Sequence, residues 1–369
     1  MAQHGGVSTS SESLAATPST ALAAKIPGLV LSVGIAIVAT VAARFIPLIG
    51  APVTAIIIGV LISTFRRPSA RFIPGVKTAS KFVLQLSVVV LGSQLSLAEI
   101  AQVGLESLPV MIGTLLVCLV AAYLVGRALG IVGDLRTLIG VGTGICGASA
   151  IAAVTPVIGA VSIDVAYAIS TIFLFNVAAV LLFPVLGHVL GLSQHAFGLF
   201  AGTAVNDMSS VVATATTYGP AATQFAVVVK LVRTLMIIPI SLVLSWWAGR
   251  TLIARDASAG AAPDGMPGPQ SSVVVPRRRV NVFKLVPWFL IGFIVVAAAN
   301  SVGLIPTVTH PTLSAVSVFL ITVALAAIGL STDVAGFRKA GPRPLILGGV
   351  LWVIVSATSL GLQFAFGLN

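Results

Sequence analysis

Eleven stretches of this 369-residue chain are apolar for about the ~20 residues that a helix needs to cross a bilayer. They cover roughly 26–46, 50–65, 80–97, 107–128, 135–158, 164–190, 194–217, 221–248, 283–304, 311–331 and 344–366. The second is short and the seventh only weakly apolar. Lipid offers no hydrogen-bond partner to an open backbone, so each stretch must satisfy itself as helix. The expected fold is an all-α polytopic membrane protein with about eleven transmembrane helices. Composition agrees: 57% of residues are hydrophobic and 8% charged, with mean hydropathy +1.12, where a soluble chain carries roughly 25% charged residues. That excludes a secreted disulfide scaffold, an ordinary cytosolic enzyme and a nucleic-acid-binding domain. The pI of about 10.7 does not restore the last of these, because the 20 Lys and Arg are spread between apolar blocks. Cys118 and Cys146 both lie in apolar runs, which leaves no disulfide framework and no metal cluster.

Residues 1–24 are Ser, Thr, Ala and Gly-rich without Lys or Arg, and read as a disordered tail rather than a cleavable signal. Residues 25–369 read as one transmembrane transporter domain, with a flexible cytoplasmic loop at about 249–282. Lys25, the loops 66–81, 127–136 and 249–284, and the loop 332–343 together hold seventeen cations, and the eleven-segment count puts all of them on one side. Only Arg44 falls on the other. The positive-inside rule then gives a cytoplasmic N-terminus and an outside C-terminus in a multi-pass protein of the cell inner membrane.

Two cations break the pattern. Lys230 and Arg233 sit in the middle of segment eight, spaced i, i+3 on one helix face. A charge at mid-bilayer costs about 2.5–3.5 kcal/mol even on the lenient insertion scale, so the pair should face a partner or a watery path. The bland alternatives are a span that starts near Leu231, leaving both cations at its edge, or a structural ionic cluster. Of the nine acids, only Asp207 is well inside an apolar segment. Two buried cations against one carboxylate should attract a small anion, best when Asp207 is protonated.

Segments five and seven carry Gly140–Thr155 (GVGTGICGASAIAAVT) and Phe200–Ala215 (FAGTAVNDMSSVVATA). At an offset of 60, Gly142/Gly202, Thr143/Thr203, Ser149/Ser209 and Ala153/Ala213 coincide. Either duplication or shared packing chemistry gives such an echo. Glycines in a membrane helix serve close packing or an interruption. In the second case a half-helix starts near Ser149, and another near Ser209 or Ser210 after Asn206–Asp207, with free N–H groups for an anion. The simple count makes the two segments parallel, whereas inverted repeats must be antiparallel. Either one is re-entrant, or this echo is not the repeat. A weaker similarity links Leu91–Gly104 to Ile328–Gly341.

Gly142–Pro156 (GTGICGASAIAAVTP), Gly202–Met208 (GTAVNDM), the VVKLVRTL run ending at Leu235 and Ile328–Arg343 (IGLSTDVAGFRKAGPR) resemble the YeiH-like family of bacterial inner-membrane proteins, described as sulfate exporters. The resemblance runs from about Lys25 to the C-terminus. It implies a multi-spanning secondary transporter, distantly similar to cation/proton antiporters and bile-acid symporters, with crossed broken helices and inverted repeats. Asn206–Asp207 looks like the Asn-Asp pair of some of those antiporters.

The function expected is secondary transport of a small anion of the sulfate, sulfite or sulfonate class, coupled to protons. Lys230 and Arg233 would supply charge to the substrate, Thr143, Cys146, Ser149, Asn206 and Ser209 the remaining contacts, and Asp207 the proton coupling. The alternative is a sodium/proton antiporter using Asn206–Asp207. An intramembrane enzyme is disfavoured, since His4, His188, His195 and His310 lie in tails and loops and no nucleophile–base spacing occurs. No cofactor motif is present. The partners expected are the lipid bilayer, a small inorganic or organic anion, a second copy as a candidate homodimer, and no nucleic acid.

Overall fold

A computed structural model describes residues 23–43, 50–66, 68–131, 133–244, 287–331 and 342–368. The loop 249–282 and most of the N-terminal tail lie outside the described residues, as do Arg44 and much of the second, weaker similarity. Among the described residues the fold is helical throughout. In chain order the helices are α1 Ile26–Ala43, α2 Gly50–Phe65, α3 Ile73–Gln94, α4 Leu97–Ala128, α5 Asp134–Gly144, α6 Ala148–Ile158, α7 Ser162–Val189, α8 Gln194–Ala204, α9 Met208–Tyr218, α10 Pro220–Leu244, α11 Trp288–Ser301, α12 His310–Ser331 and α13 Pro342–Phe366. Seven of them, α1, α3, α4, α7, α10, α12 and α13, are long and apolar enough to cross a membrane; α2 and α11 are shorter apolar helices packed among them.

The helices form two lobes. In the first, α12 packs along α2, α1 on α2, and α11 on α3. Glycine makes the closest approaches possible here: a Cβ at Gly59 of α2 would lie 2.5 Å from the Ala326 carbonyl oxygen of α12, and one at Gly28 of α1 would strike the backbone at Phe72 and Gly75. In lipid, where burial of apolar surface supplies no force between helices, such backbone-to-backbone packing is what associates them. The α3 helix is not regular. Its residues Ala79–Val83 form a π-helical turn, and Gly92–Gln94 a 3₁₀ turn. The second lobe holds α4 to α10 and α13.

The expectation that segments five and seven cross the membrane is corrected by the second lobe. Segment five breaks at its Gly144–Gly147 stretch and segment seven at Asn206–Asp207, as expected, but each then folds back as a re-entrant hairpin. The course of α7 shows this. Its Asp164 lies within electrostatic reach of Asp134, at the start of α5. Further along, its Ile172 meets Gly142 near the end of α5, its Asn176 bonds Asn206 between α8 and α9, and its Gly187 meets both Phe197 of α8 and Tyr218 of α9. So α6 must return to the level where α5 began. Likewise the Tyr218 hydroxyl at the end of α9 donates to the Leu192 carbonyl just before α8, 2.5 Å away, and the Tyr218 ring stacks on Phe197. The two hairpins therefore have their bases at opposite ends of α7 and their tips together near its middle.

The echo at offset 60 is the repeat. Asp134–Gly144 and Ala148–Ile158 map onto Gln194–Ala204 and Met208–Tyr218 with every boundary displaced by 60, and Gly159 and Gly219, both with positive φ, end each unit. Each hairpin is followed by a long helix running parallel to its first arm: α7 beside α5, and α10 beside α8, where Gly198 meets Ala222 and Gly202 meets Val229. The units enter from opposite sides, which removes the conflict between parallel segments and an inverted repeat.

Candidate functional site

The tips meet midway. Gly147, whose φ of +70° suits glycine alone, turns the chain into α6, and a Cβ there would be in van der Waals contact with Asn206 and Asp207. Behind this junction stand Lys230 and Arg233, both with 0% exposure. The Lys230 ammonium donates to the Ile145 carbonyl of one tip at 2.8 Å and the Val205 carbonyl of the other at 2.7 Å. Arg233 donates through Nε to the Gly144 carbonyl at 2.8 Å, and a longer 3.5 Å contact runs from Nη2 to Thr143. These are the carbonyls left without intrahelical partners at the C-terminal ends of α5 and α8, where the helix dipole is negative. The cations neutralise both half-helix ends at once and bind the tips to α10. The other tip is held from α7, where Asn176 Oδ1 accepts the Asn206 backbone N–H at 3.0 Å.

The opposite side of the junction presents helix N-termini. Asp207 caps α9: its carboxylate accepts from the Ser209 N–H at 3.0 Å and from the Ser209 hydroxyl. Gly147 stands at the same position on α6 and offers no side chain to cap it. Between these N-termini and the first lobe lies a cavity of about 370 Å³, walled by Ala148, Ser149 and Ala152 of α6, Asp207, Met208 and Ser209 at the start of α9, Ser80, Lys81, Leu84, Gln85 and Val88 of α3, and Phe289 of α11. The N-terminal dipole ends of two half-helices converge there, α9 capped by Asp207 and α6 without a side-chain cap, and the α6 end is suited to negative charge. Among the described residues no cluster of His, Cys, Asp and Glu could hold a metal.

Comparison with known proteins agrees with the fold. A family model described as "Conserved hypothetical protein 698" matches residues 27–348. The chain is 40% identical to UPF0324 membrane protein SAG1125 of Streptococcus agalactiae over 93% of its own length and 98% of the relative's. It is 40% identical to UPF0324 membrane protein M6_Spy0799 of Streptococcus pyogenes over the same shares, and 40% identical to UPF0324 membrane protein spr0034 of Streptococcus pneumoniae over 88% and 92%. This chain belongs to the YeiH family. No solved structure matches it.

Within this member of the family the expected site residues divide into two sets. Ser149, Asp207 and Ser209 line the cavity. Lys230, Arg233, Thr143, Cys146 and Asn206 lie behind it, at most 4% exposed. Lys230 and Arg233 are buried where segment eight faces both interrupted segments, but their bonded donors go to backbone carbonyls, Arg233 Nη1 is buried without a partner among the described residues, and neither side chain borders the cavity. The helix of segment eight does not start near Leu231: α10 begins at Pro220, and by length and composition its candidate span Pro220–Leu244 contains both cations. The half-helices start near Ser149 and Ser209 as expected, at Ala148 and Met208, with Gly147 and Asp207 at the N-cap positions. Asn176 and Gln94 join helices, the latter accepting from Gln224 at 3.0 Å. Sequence reasoning missed Lys81, Gln85 and Ser80, which it assigned to a loop or to plain apolar helix. No periodicity marks the π-helical turn that carries two of them.

Proposed function

We propose that this protein is a secondary transporter of a small anion of the sulfate, sulfite or sulfonate class, seated in the cell inner membrane with its N-terminus cytoplasmic. The observation that carries the reading is the pair of hairpins entering from opposite ends of α7, their tips meeting beside a cavity at mid-depth. A site placed there is reached from one face or the other when one lobe rocks against its neighbour, the geometry of alternating access. The anion takes hydrogen bonds from Ser149, Ser209 and the first N–H groups of α6. Lys230 and Arg233 supply positive potential from behind the tips rather than direct contact. Asp207 occupies the α9 N-terminus that the anion also seeks, so a proton on its carboxylate favours binding. Proton and anion then move together.

Flux into proteoliposomes tests the proposal. Uptake of sulfate, sulfite or taurine that responds to an imposed pH gradient and needs no sodium supports it. Proton movement driven by sodium with no anion carried would instead select the antiporter reading, which one observation favours: the Asn206 side-chain oxygen beside Asp207 is buried without a hydrogen-bond partner.

A further inference from the structure

We infer that Lys81 of α3 binds the anion directly and selects for its charge, from the lobe opposite the hairpin tips. The assignment rests on the transport reading above. Three observations converge on this side chain. Lys81 lies in the π-helical turn Ala79–Val83, the kind of local irregularity that inserts one residue into a helix and re-aims its neighbours, often at functional sites. It is a wall of the 370 Å³ cavity, which also contains Asp207, Ser149 and Ser209. It is also a wall of a second cavity, of about 690 Å³, bordered by Lys25, Lys77 and Gln85. The two cavities thus share Lys81 and Gln85, and the three lysines mark a basic approach that ends at the tips. Among the described residues none of the three ammonium groups has an ion-pair partner.

Charge decides the role. The hairpin side of the cavity offers backbone N–H groups and hydroxyls, and its one acidic or basic side chain is Asp207, which supplies no positive charge to an anion. Lys230 and Arg233 act from behind the tips. Lys81 is the cation that borders the space itself, so it supplies the direct counter-charge to a bound oxyanion. Its position on the first lobe has a mechanical consequence. An anion held by Lys81 on one side and by Ser149 and Ser209 on the other bridges the lobes, and occupancy draws them together. The approach lined by Lys25 and Lys77 belongs to the N-terminal ends of α1 and α3, the end that the cation distribution places in the cytoplasm. The described conformation therefore presents the site to that face.

The test uses the full-length protein in proteoliposomes with radiolabelled sulfate, and sulfite and taurine in parallel. Lys81→Gln is expected to raise the half-saturating anion concentration at least tenfold while leaving the saturating rate within about threefold, and Lys81→Arg to restore tight binding. In a second measurement Lys81→Cys is labelled with a membrane-impermeant maleimide, and saturating anion is expected to slow labelling. An unchanged half-saturating concentration in Lys81→Gln, or labelling indifferent to the anion that the wild type carries, overturns the assignment and leaves the transport reading standing. Absence of any anion flux in the wild type overturns both.

Discussion

Replacing Lys230 by methionine isolates what the buried cation does. Methionine keeps most of the stem volume and removes the ammonium, so the Ile145 and Val205 carbonyls, now bonded at 2.8 and 2.7 Å, lose their donor in a space that water does not reach. Hydrogen bonds to a charged group contribute roughly 1.5–3 kcal/mol each, about 3–6 kcal/mol for the two. Part of that is offset, because the variant no longer holds an ammonium out of water. Roughly 3 kcal/mol remains, at the low end for removing one partner of a buried ionic contact. The loss falls on the one group that ties both hairpin tips to α10. Local opening of the tips should therefore become about a hundredfold more frequent, since each 1.4 kcal/mol is tenfold. Hydrogen exchange in detergent reads this directly: peptides covering 143–147 and 203–209 should exchange faster, while those covering α2 and α12 should not change. If tip exchange and thermal unfolding both match the wild type, Lys230 does not hold the hairpins together, and the site has been assembled from the wrong contacts.

Two further outcomes follow from the packing and the cap. Gly59→Leu forces a side chain into the backbone of α12 at Ala326 and Gly329, and should cost about 1–3 kcal/mol as overpacking, read as a lowered melting temperature in a fixed detergent; Gly34→Leu, where a Cβ meets nothing within 4 Å, should leave it unchanged. Asp207→Asn keeps a good N-cap for α9 and so keeps the fold, but it removes the carboxylate that competes with the anion. Wild-type anion flux should respond to an imposed pH gradient, and the variant's flux should not. A variant that keeps the full pH dependence would place the coupling proton elsewhere.

The helical segments were legible because lipid leaves an apolar stretch no other choice, and the breaks were legible because Gly144, Gly147 and the Asn206–Asp207 pair are poor helix formers in a solvent that punishes an open backbone. What the sequence could not show is whether a broken segment continues or returns. The cation distribution is blind to this. Turning one segment into a hairpin would reverse every later loop, but turning two restores them, and the connections whose sides change, 159–161 and 190–193, contain neither Lys nor Arg. The offset-60 echo held the answer, and it looked inconsistent only while both segments were taken to cross. Lys230 and Arg233 were legible as buried charges that need partners. That the partners are carbonyls at two half-helix ends is a fact of three dimensions, since Thr143–Ile145 and Val205 lie 25 to 90 positions away in the chain. Lys81 was hidden for the opposite reason: a cation at the edge of an apolar run reads as a loop residue whether it faces water at the surface or a cavity inside.

Everything in the mechanism depends on the two hairpins having bases on opposite faces, and cysteine accessibility in oriented vesicles measures that most directly. Single cysteines at four exposed positions, Ala128→Cys, Val161→Cys, Leu190→Cys and Ala221→Cys, flank the two hairpins in pairs. An impermeant maleimide should label the first two from one face and the last two from the other. Labelling of Val161→Cys from the face opposite Ala128→Cys, or of Leu190→Cys from the face opposite Ala221→Cys, would mean that the segment between them crosses the membrane, and the meeting of tips beside the cavity could not stand.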